Sequence, residues 1–459
     1  MKTKQNSNKA DTIKIILCAA LTLTLICLTL LLIYMLNFSQ IQVPFDLDSI
    51  TAEKDGYSFD ITKYFLPEFI GFTSDDEKLG ISGSLNIMSE LYKEVSPVIS
   101  ELLGEKNASS GTAADWERLE NEEISFYIRY HSELPDCVIG IFADEYSDIS
   151  KNRNTVTSYV YEMLLIPNTD GSGMITLATK SRAGEVEVYC ATISSVFTGD
   201  SISKMLESYN SYMYSYVIMN GEPVFTETVV TRNIIMTGST AMFIQNNSDA
   251  EIKQLMRFFD LNPDKLLSSH VDEDGNGSYI DTHGILYITE SCFEYSSTSD
   301  GGIGISDFIG KNESGSIKDY IEASISIISF LRSMNKNYTG GDAEIYLDSV
   351  TSSGGIVTLT FMYAFDNIRI TDISPAFTAV FEGDIVRSAK LYTMSVRNLG
   401  DRQEMISESS FLHFIGTDSE KNSGTNQTCS TGLVYRGNFL SESVKSEWRH
   451  AVYADNKEN

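Results

Sequence analysis

Cysteines at metal-site or redox-site spacing are missing from this chain. Its six cysteines include no Cys-x-x-Cys pair, which removes the zinc ribbon and the thioredoxin-type site. Neither a Gly-x-Ser-x-Gly elbow nor a Gly-x-x-x-x-Gly-Lys loop occurs, so the signatures of the α/β-hydrolase nucleophile and of the P-loop phosphate cradle are absent. Positive charge is scarce: 34 Lys and Arg stand against 63 Asp and Glu, a formal net charge of -29. Such a surface repels nucleic acid and anionic headgroups, and no nucleic-acid partner is expected. Histidine is rare as well, and His131, His413 and His450 each stand alone, more in keeping with a surface or core role than with catalysis. No carboxylate pair stands out as a glycosidase couple. A non-catalytic protein with no cofactor is the expectation.

What the chain does have is apolar residues, 42% of the total with 11% aromatic, recurring in periodic runs that a disordered chain lacks. The longest uncharged run, Ile15 to Phe38 ("IILCAALTLTLICLTLLLIYMLNF"), is 24 residues long, where about 20 suffice to cross a bilayer. No small-x-small cleavage site closes it, so it reads as a transmembrane helix and not as a signal peptide. Lys2, Lys4, Lys9 and Lys14 precede it against a single Asp11, which by the positive-inside rule places residues 1–14 in the cytoplasm and the chain beyond 38 outside. Within the span Cys18, Thr22 and Thr29 lie near one helical stripe that a partner helix in the membrane could use, although a passive anchor explains the same weak polarity. Cys137, Cys190, Cys292 and Cys429 lie on the exterior side, and disulfides or free thiols are both open.

Beyond a juxtamembrane segment, 39–56, the exterior reads as three α+β units, 57–210, 211–300 and 301–459. In the first, Leu85 to Leu103 sets Met88, Leu91, Tyr92, Val95, Val98, Ile99, Leu102 and Leu103 at helical spacing, with Gly104 as the stop and Pro97 expected to kink or break the helix. A short helix around Trp116 and the strands "ISFYIRY", "TSYVYEMLLIP", "GMITLAT" and "EVEVYCATI" follow. The second unit holds the strands of "EPVFTETVVTRNIIM", a helix in "SDAEIKQLMRFFDL" with Ser248 as its N-cap, and the strands of "GILYITESCFEYSS". In the third, a helix from Ser316 to Arg332 precedes two hairpins, turning at Ser352 to Gly355 and at Glu382-Gly383-Asp384. A helix near Gln403 to Phe414, a polar linker from Thr417 to Thr431, and the strands "GLVYRG" and "EWRHAVYA" complete it. Strands joined by tight turns with few helices between them predict an α+β fold: one N-terminal transmembrane helix, then antiparallel sheets with helices packed on one face.

One stretch, "HVDEDGNGSYIDTH" from His270 to His283, looks able to hold a metal ion. If Asn276-Gly277 forms a two-residue turn, His270 faces His283 and Asp272 faces Asp281 on one side of the ribbon. Two imidazoles and two carboxylates there would suit a divalent transition metal. A turn centred on Asp274-Gly275 breaks that pairing, and an ordinary hairpin showing its polar face to water explains the pattern with less. Asp272, Asp274, Asn276 and Gly277 match the first half of a calcium loop, but its twelfth position holds His283 where a bidentate Glu belongs.

The order of "LYKEVSPVISELLGE", "DWERL" and "FYIRYHSELPD", then "FFDLNPDKL" with the acidic hairpin and "GILYITESCFEYSS", and finally "VTLTFMYAF", "AVFEGDIVRSAKLY", "GLVYRG" and "SEWRHAVY", resembles the YycH/YycI-type proteins of Gram-positive bacteria. These are single-span regulators of an essential two-component sensor histidine kinase. The resemblance covers most of the exterior region in arrangement. It implies a protein without catalytic residues that acts through contacts of its span and exterior domain with the kinase. The strongly acidic composition and the long Thr417 to Thr431 linker depart from the better-known members. The other expectation from the residues is an extracytoplasmic module that binds a cation or a cell-wall ligand.

Overall fold

The computed structural model describes residues 60–453, apart from 75–76, 105–108, 148–152, 154, 168–172, 193–196, 220–221, 238–248, 290, 299–300, 311–314, 335–342, 416–427 and 437–445. The expected span 15–38 with Cys18, Thr22 and Thr29, the flanking segments 1–14 and 39–56, Ser248 and most of the Thr417 to Thr431 linker lie outside the described residues. Among those described, no helix is long and apolar enough to cross a membrane. The chain from Ser58 onward forms one unit, and its architecture is α+β.

Nine strands build the first sheet: β1 (Pro67–Ser74), β2 (Glu77–Ile81), β3 (Ser109–Gly111), β4 (Ile124–Pro135), β5 (Tyr159–Pro167), β6 (Met174–Lys180), β7 (Val186–Thr192), β8 (Tyr214–Met219) and β9 (Glu222–Phe225). Their order is β3-β7-β6-β5-β4-β1-β2-β8-β9, all antiparallel. Helices α1 (Leu85–Gly104), α2 (Ala113–Glu120), α3 (Asp136–Tyr146) and α4 (Gly199–Tyr209) are threaded between them. Because side chains alternate along a strand, Phe126, Ile128 and Tyr130 of β4 point to one face, and Tyr127 and Arg129 to the other. On the first face α1 and α3 form the core: the Phe65 ring stacks on Phe142 at 4.2 Å and meets Tyr92 edge-on, and the Tyr92 and Tyr130 hydroxyls approach to 3.5 Å. On the second face lies α2, whose Trp116 ring sits under the Lys180 ammonium, 5.0 Å away. Helices therefore cover both faces of this sheet, not one as the sequence suggested.

Helix α1 runs through Pro97 as a single element. The proline ring removes the N–H that would reach the Lys93 carbonyl one turn back. The Ser96 hydroxyl donates to that carbonyl instead, at 3.0 Å, so the acceptor freed by the proline is satisfied within the continuous helix. Thr112 starts α2 with a reciprocal cap: its hydroxyl accepts from the Asp115 N–H, and the Asp115 carboxylate accepts from the Thr112 N–H.

A two-stranded ribbon pairs β10 (Val229–Thr237) with β21 (Ser395–Met405). The third sheet collects β11 (Ser268–Val271), β12 (Gly277–Ile280), β13 (Gly284–Ile288), β14 (Cys292–Ser297), β15 (Ile303–Gly304), β16 (Ala343–Ser353), β17 (Ile356–Phe365), β18 (Ile368–Thr371), β19 (Phe377–Glu382), β20 (Ile385–Tyr392), β22 (Thr428–Arg436) and β23 (Ser446–Tyr453). The path is β11-β12-β13-β14-β20-β19-β17-β18-β22-β23, with β15 on β20 and β16 on β17; β18 and β22 run parallel. The unit boundaries expected at 210 and 300 do not coincide with the sheets. Strands β8 and β9 belong to the first sheet, and β14 pairs with β20 across the second boundary. Alternation identifies a strand but not its partner. The helix expected from Gln403 begins only at Glu408, as α8 (Glu408–Ile415), because the chain up to Met405 is engaged with β10.

Helices α5 (Asp249–Phe258), α6 (Ile305–Ile309) and α7 (Ile317–Met334) cover one face of the third sheet. Phe258 stacks on Phe330 at 3.6 Å, Phe259 on Tyr295 at 4.9 Å, and Tyr320 leans on Phe381 at 4.9 Å. Both expected hairpins form at the expected places. Gly354 and Gly355, with φ of 59° and 83°, turn β16 into β17, and Gly383 at 60° opens the turn from β19 to β20. On the opposite face one cross-strand row runs through His270, Ser278, Tyr287, Glu294, Lys390, Thr378, Thr360 and Ser349.

Candidate functional site

In the acidic hairpin, the structure separates the four residues proposed to share a metal. Val271 pairs with Gly277 and His270 with Ser278, so His270 does not face His283. The Asp272 carboxylate sets this register. It accepts from the N–H of Asp274 at 3.0 Å, from the N–H of Asn276 at 2.8 Å and from the Asn276 side-chain amide at 2.9 Å, while Gly275 takes φ 82°. These bonds, led by the Asn276 amide, hold the Asp272 carboxyl below the usual carboxylate range. The turn therefore runs from Asp272 to Gly275, whose N–H donates to the Asp272 carbonyl, and is centred on neither Asn276-Gly277 nor Asp274-Gly275. Asp281 is buried and serves backbone: its carboxylate accepts from the N–H groups of Asn262 (2.8 Å), His283 (2.7 Å) and Gly284 (3.1 Å). His283 stands exposed in the next turn. Among the described residues no group of three or more His, Cys, Asp or Glu is placed to hold a metal ion. Cys137, Cys190 and Cys292 are free thiols, and the Cys429 side chain lies outside the description.

Ionisable side chains converge instead where the first and third sheets meet. The turn from β17 to β18 is Asp366-Asn367, both residues left-handed at φ 50° and 60°, a conformation Asp and Asn tolerate better than other side-chain-bearing residues. Glu344 of β16 fastens it, its carboxylate accepting from the N–H of Asp366 at 3.1 Å and of Asn367 at 3.0 Å. The tip of the turn enters the first sheet. The Asp366 carboxylate accepts from the N–H of Leu85, the first residue of α1, at 3.3 Å. Ser84 before it sits at φ 61°, outside the extended region an N-cap normally occupies, so the helix receives a cap from the other half of the molecule.

Asn367 is buried and touches three elements. Its amide nitrogen donates to the Pro67 carbonyl at 2.7 Å and approaches the Met88 sulfur at 3.0 Å, while its amide oxygen meets His131 Nε2 at 3.2 Å. With the amide nitrogen committed to Pro67, the oxygen is the acceptor and His131 Nε2 carries a proton. The imidazole lies over the Tyr346 ring, centroids 4.4 Å apart. Arg182 and Arg369 both donate to the His131 carbonyl, at 3.3 and 3.5 Å; Arg369 pairs with Asp348 at 3.4 Å, and Arg129 with Glu68 at 3.3 Å. Burial pushes the pKa of His131 below its ordinary value; Glu68, the bond to Asn367 and Asp348 pull it up, and Arg369 pushes it down. The ring is neutral in this arrangement.

Further along the same face of the first sheet, Arg129, Glu162 and Lys180 stand in register across β4, β5 and β6, and Glu68, at the bulge of β1, pairs with Arg129. Lys180 reaches Glu162 at 2.6 Å, and Glu162 accepts from the Tyr127 hydroxyl at 2.6 Å. Above them Glu120 accepts from the Trp116 indole at 3.3 Å, and burial followed by the neighbouring Glu162 pushes its pKa up. Both glutamates are buried and committed to these partners.

Of the residues singled out in the sequence, then, Asp272 and Asp281 shape turns, while His270 and His283 are exposed and unpaired with each other. His131, expected to stand alone, lies at the centre of the junction between the sheets. Asp366-Asn367 between two apolar runs is a legible turn signal, but nothing local indicates that the turn reaches α1. No family model matches the chain, and no curated protein matches it.

Proposed function

We propose that this chain is a bacterial single-pass membrane protein whose exterior α+β domain is a non-catalytic regulator of a membrane partner, such as a two-component sensor histidine kinase of the kind the YycH/YycI-type proteins control. Residues 15–38 would form the span, with the N-terminus in the cytoplasm. Cys18, Thr22 and Thr29 are the candidates for helix-to-helix contact. The observation that carries the reading is the uncharged 24-residue run after a lysine-rich start, followed by an acidic α+β unit. Of the buried ionisable groups described, Glu162 and Arg153 are held in ion pairs and His131 joins the two large sheets. Regulation would act by differential binding, the exterior domain and span favouring one signalling state of the partner by their difference in affinity for the two states. Affinity purification of the full chain from its native membranes after crosslinking is expected to recover one sensor kinase, and Thr22→Leu with Thr29→Leu is expected to weaken that recovery. Consistent recovery without any kinase would overturn the reading.

A second reading is an exterior module for a cation or a cell-wall ligand. It is supported by the open face of the third sheet, where His270 heads a row of mostly hydroxyl-bearing side chains. Retention on isolated cell-wall material by the full chain, lost on introducing charge at Thr360 and Thr378, would favour it.

A further inference from the structure

Among the described residues, one turn makes several of the bonds at the junction between the two large sheets; Ser132 to the Asp348 carbonyl and Arg369 to the His131 carbonyl are others. Asn367 binds β1 through the Pro67 carbonyl and β4 through His131, and Asp366 caps α1. The Tyr346 hydroxyl, buried in the same place, makes no hydrogen bond. Six groups from four elements surround the imidazole: Glu68 of β1, Tyr346 and Asp348 of β16, Asn367 and Arg369 of the β17–β18 hairpin, and Arg182 of the turn after β6. The two carboxylates are already engaged, Glu68 with Arg129 and Asp348 with Arg369.

We infer that His131 and the Asp366-Asn367 turn form an acid-sensitive latch: proton uptake by the imidazole frees the turn from the first sheet, uncaps α1 and loosens the contact between the sheets. The only chemical step is transfer of a proton from hydronium to Nδ1, leaving water, with Nε2 already protonated. A second N–H in this buried ring adds a positive charge next to two guanidinium groups that reach the carbonyl of the same residue, and the two carboxylates nearby are each already paired with an arginine. Opening hydrates the imidazolium and separates it from Arg182 and Arg369.

The sign follows from linkage. The folded-state pKa of His131 lies below its ordinary value of 6.5, so the closed form binds fewer protons than the open one. The closed form is fully favoured above the ordinary value and is disfavoured progressively as pH falls below it, toward the depressed folded value. One proton taken up on opening changes the opening equilibrium by at most about tenfold per pH unit. Ordinary Asp and Glu titration lies lower; Glu120, raised by burial, is distinguished from His131 by the His131→Gln variant. The latch does not depend on the partner being a kinase.

Hydrogen exchange of the full-length chain in detergent, read by mass spectrometry between pH 7.5 and 5.5 and normalised to the chemical exchange rate at each pH, tests it. Peptides covering 84–92 and 363–371 are expected to lose protection on acidification, while peptides from β5 and β6 keep theirs. In His131→Gln, which keeps a donor for Asn367 and cannot take up the proton, the acid-dependent loss is expected to disappear. Unchanged protection of both peptides in the wild type would overturn the latch without any variant. So would the same acid response in His131→Gln, since the titrating group would then lie elsewhere.

Discussion

Arg153 crosses Gly140 of α3 and places Nε and Nη2 on the two oxygens of the Asp144 carboxylate, at 2.7 and 2.9 Å, while Nη2 also donates to the Ser100 carbonyl. Both charged side chains are almost wholly buried, at 7% and 5% exposure, so each depends on the other for its solvation. Asp144→Leu or Arg153→Met alone is expected to cost about 3 kcal/mol, because one charge is left buried without its partner. Arg153→Met with Asp144→Leu should recover most of that loss, and urea denaturation of the two singles and the double measures the coupling. Gly140→Ala is expected to destabilise as well, since its Cβ would lie 2.6 Å from Arg153 Cδ. None of this is legible in the sequence, where Arg153 is one basic residue in a polar loop. The same holds for His131 and Asp281: residue type tells what each can bond, and only the fold supplies the partner.

Elements were more legible than residues, to the extent that their signals were local. The turns at Gly354-Gly355 and Gly383 could be located because glycine in a two-residue hairpin has a backbone cause. Both Gly354 and Gly355 have open space where a Cβ would go, so substitution there tests backbone strain alone. Gly355→Val is expected to cost about 1–2 kcal/mol, and Gly354→Asn clearly less, as measured by thermal unfolding. Helix α3 left no periodic trace because residues 136 to 144 are all buried, and a helix with no polar side shows no 3.6-residue stripe. Register was hardest. In the acidic hairpin the choice among adjacent turns rested on which acceptor captures the loop N–H groups, and the Asp272 carboxylate takes three donors.

For the molecule as a whole, the α+β class and the antiparallel pairing could be read from alternation and turn chemistry, while the division into sheets could not, since both large sheets recruit strands across the expected boundaries. The dispersal of His270, Asp272, Asp281 and His283 predicts that elemental analysis of the purified full chain finds no stoichiometric zinc. It also predicts that chelator leaves the melting temperature of the unmodified chain unchanged. A chelator-sensitive melting temperature that His270→Ala with His283→Ala abolishes would restore the metal reading.

The cap on α1 also dates its completion. Leu85 and Asp366 are separated by 281 residues, and a chain synthesised from its N-terminus presents the helix long before its acceptor arrives. The first sheet can pair its strands during that interval, but the start of α1 stays open until the β17–β18 turn is delivered. The step that joins the two sheets is therefore one of the last in assembly, and a stalled or truncated chain carries an unfinished helix end that quality-control proteases can recognise.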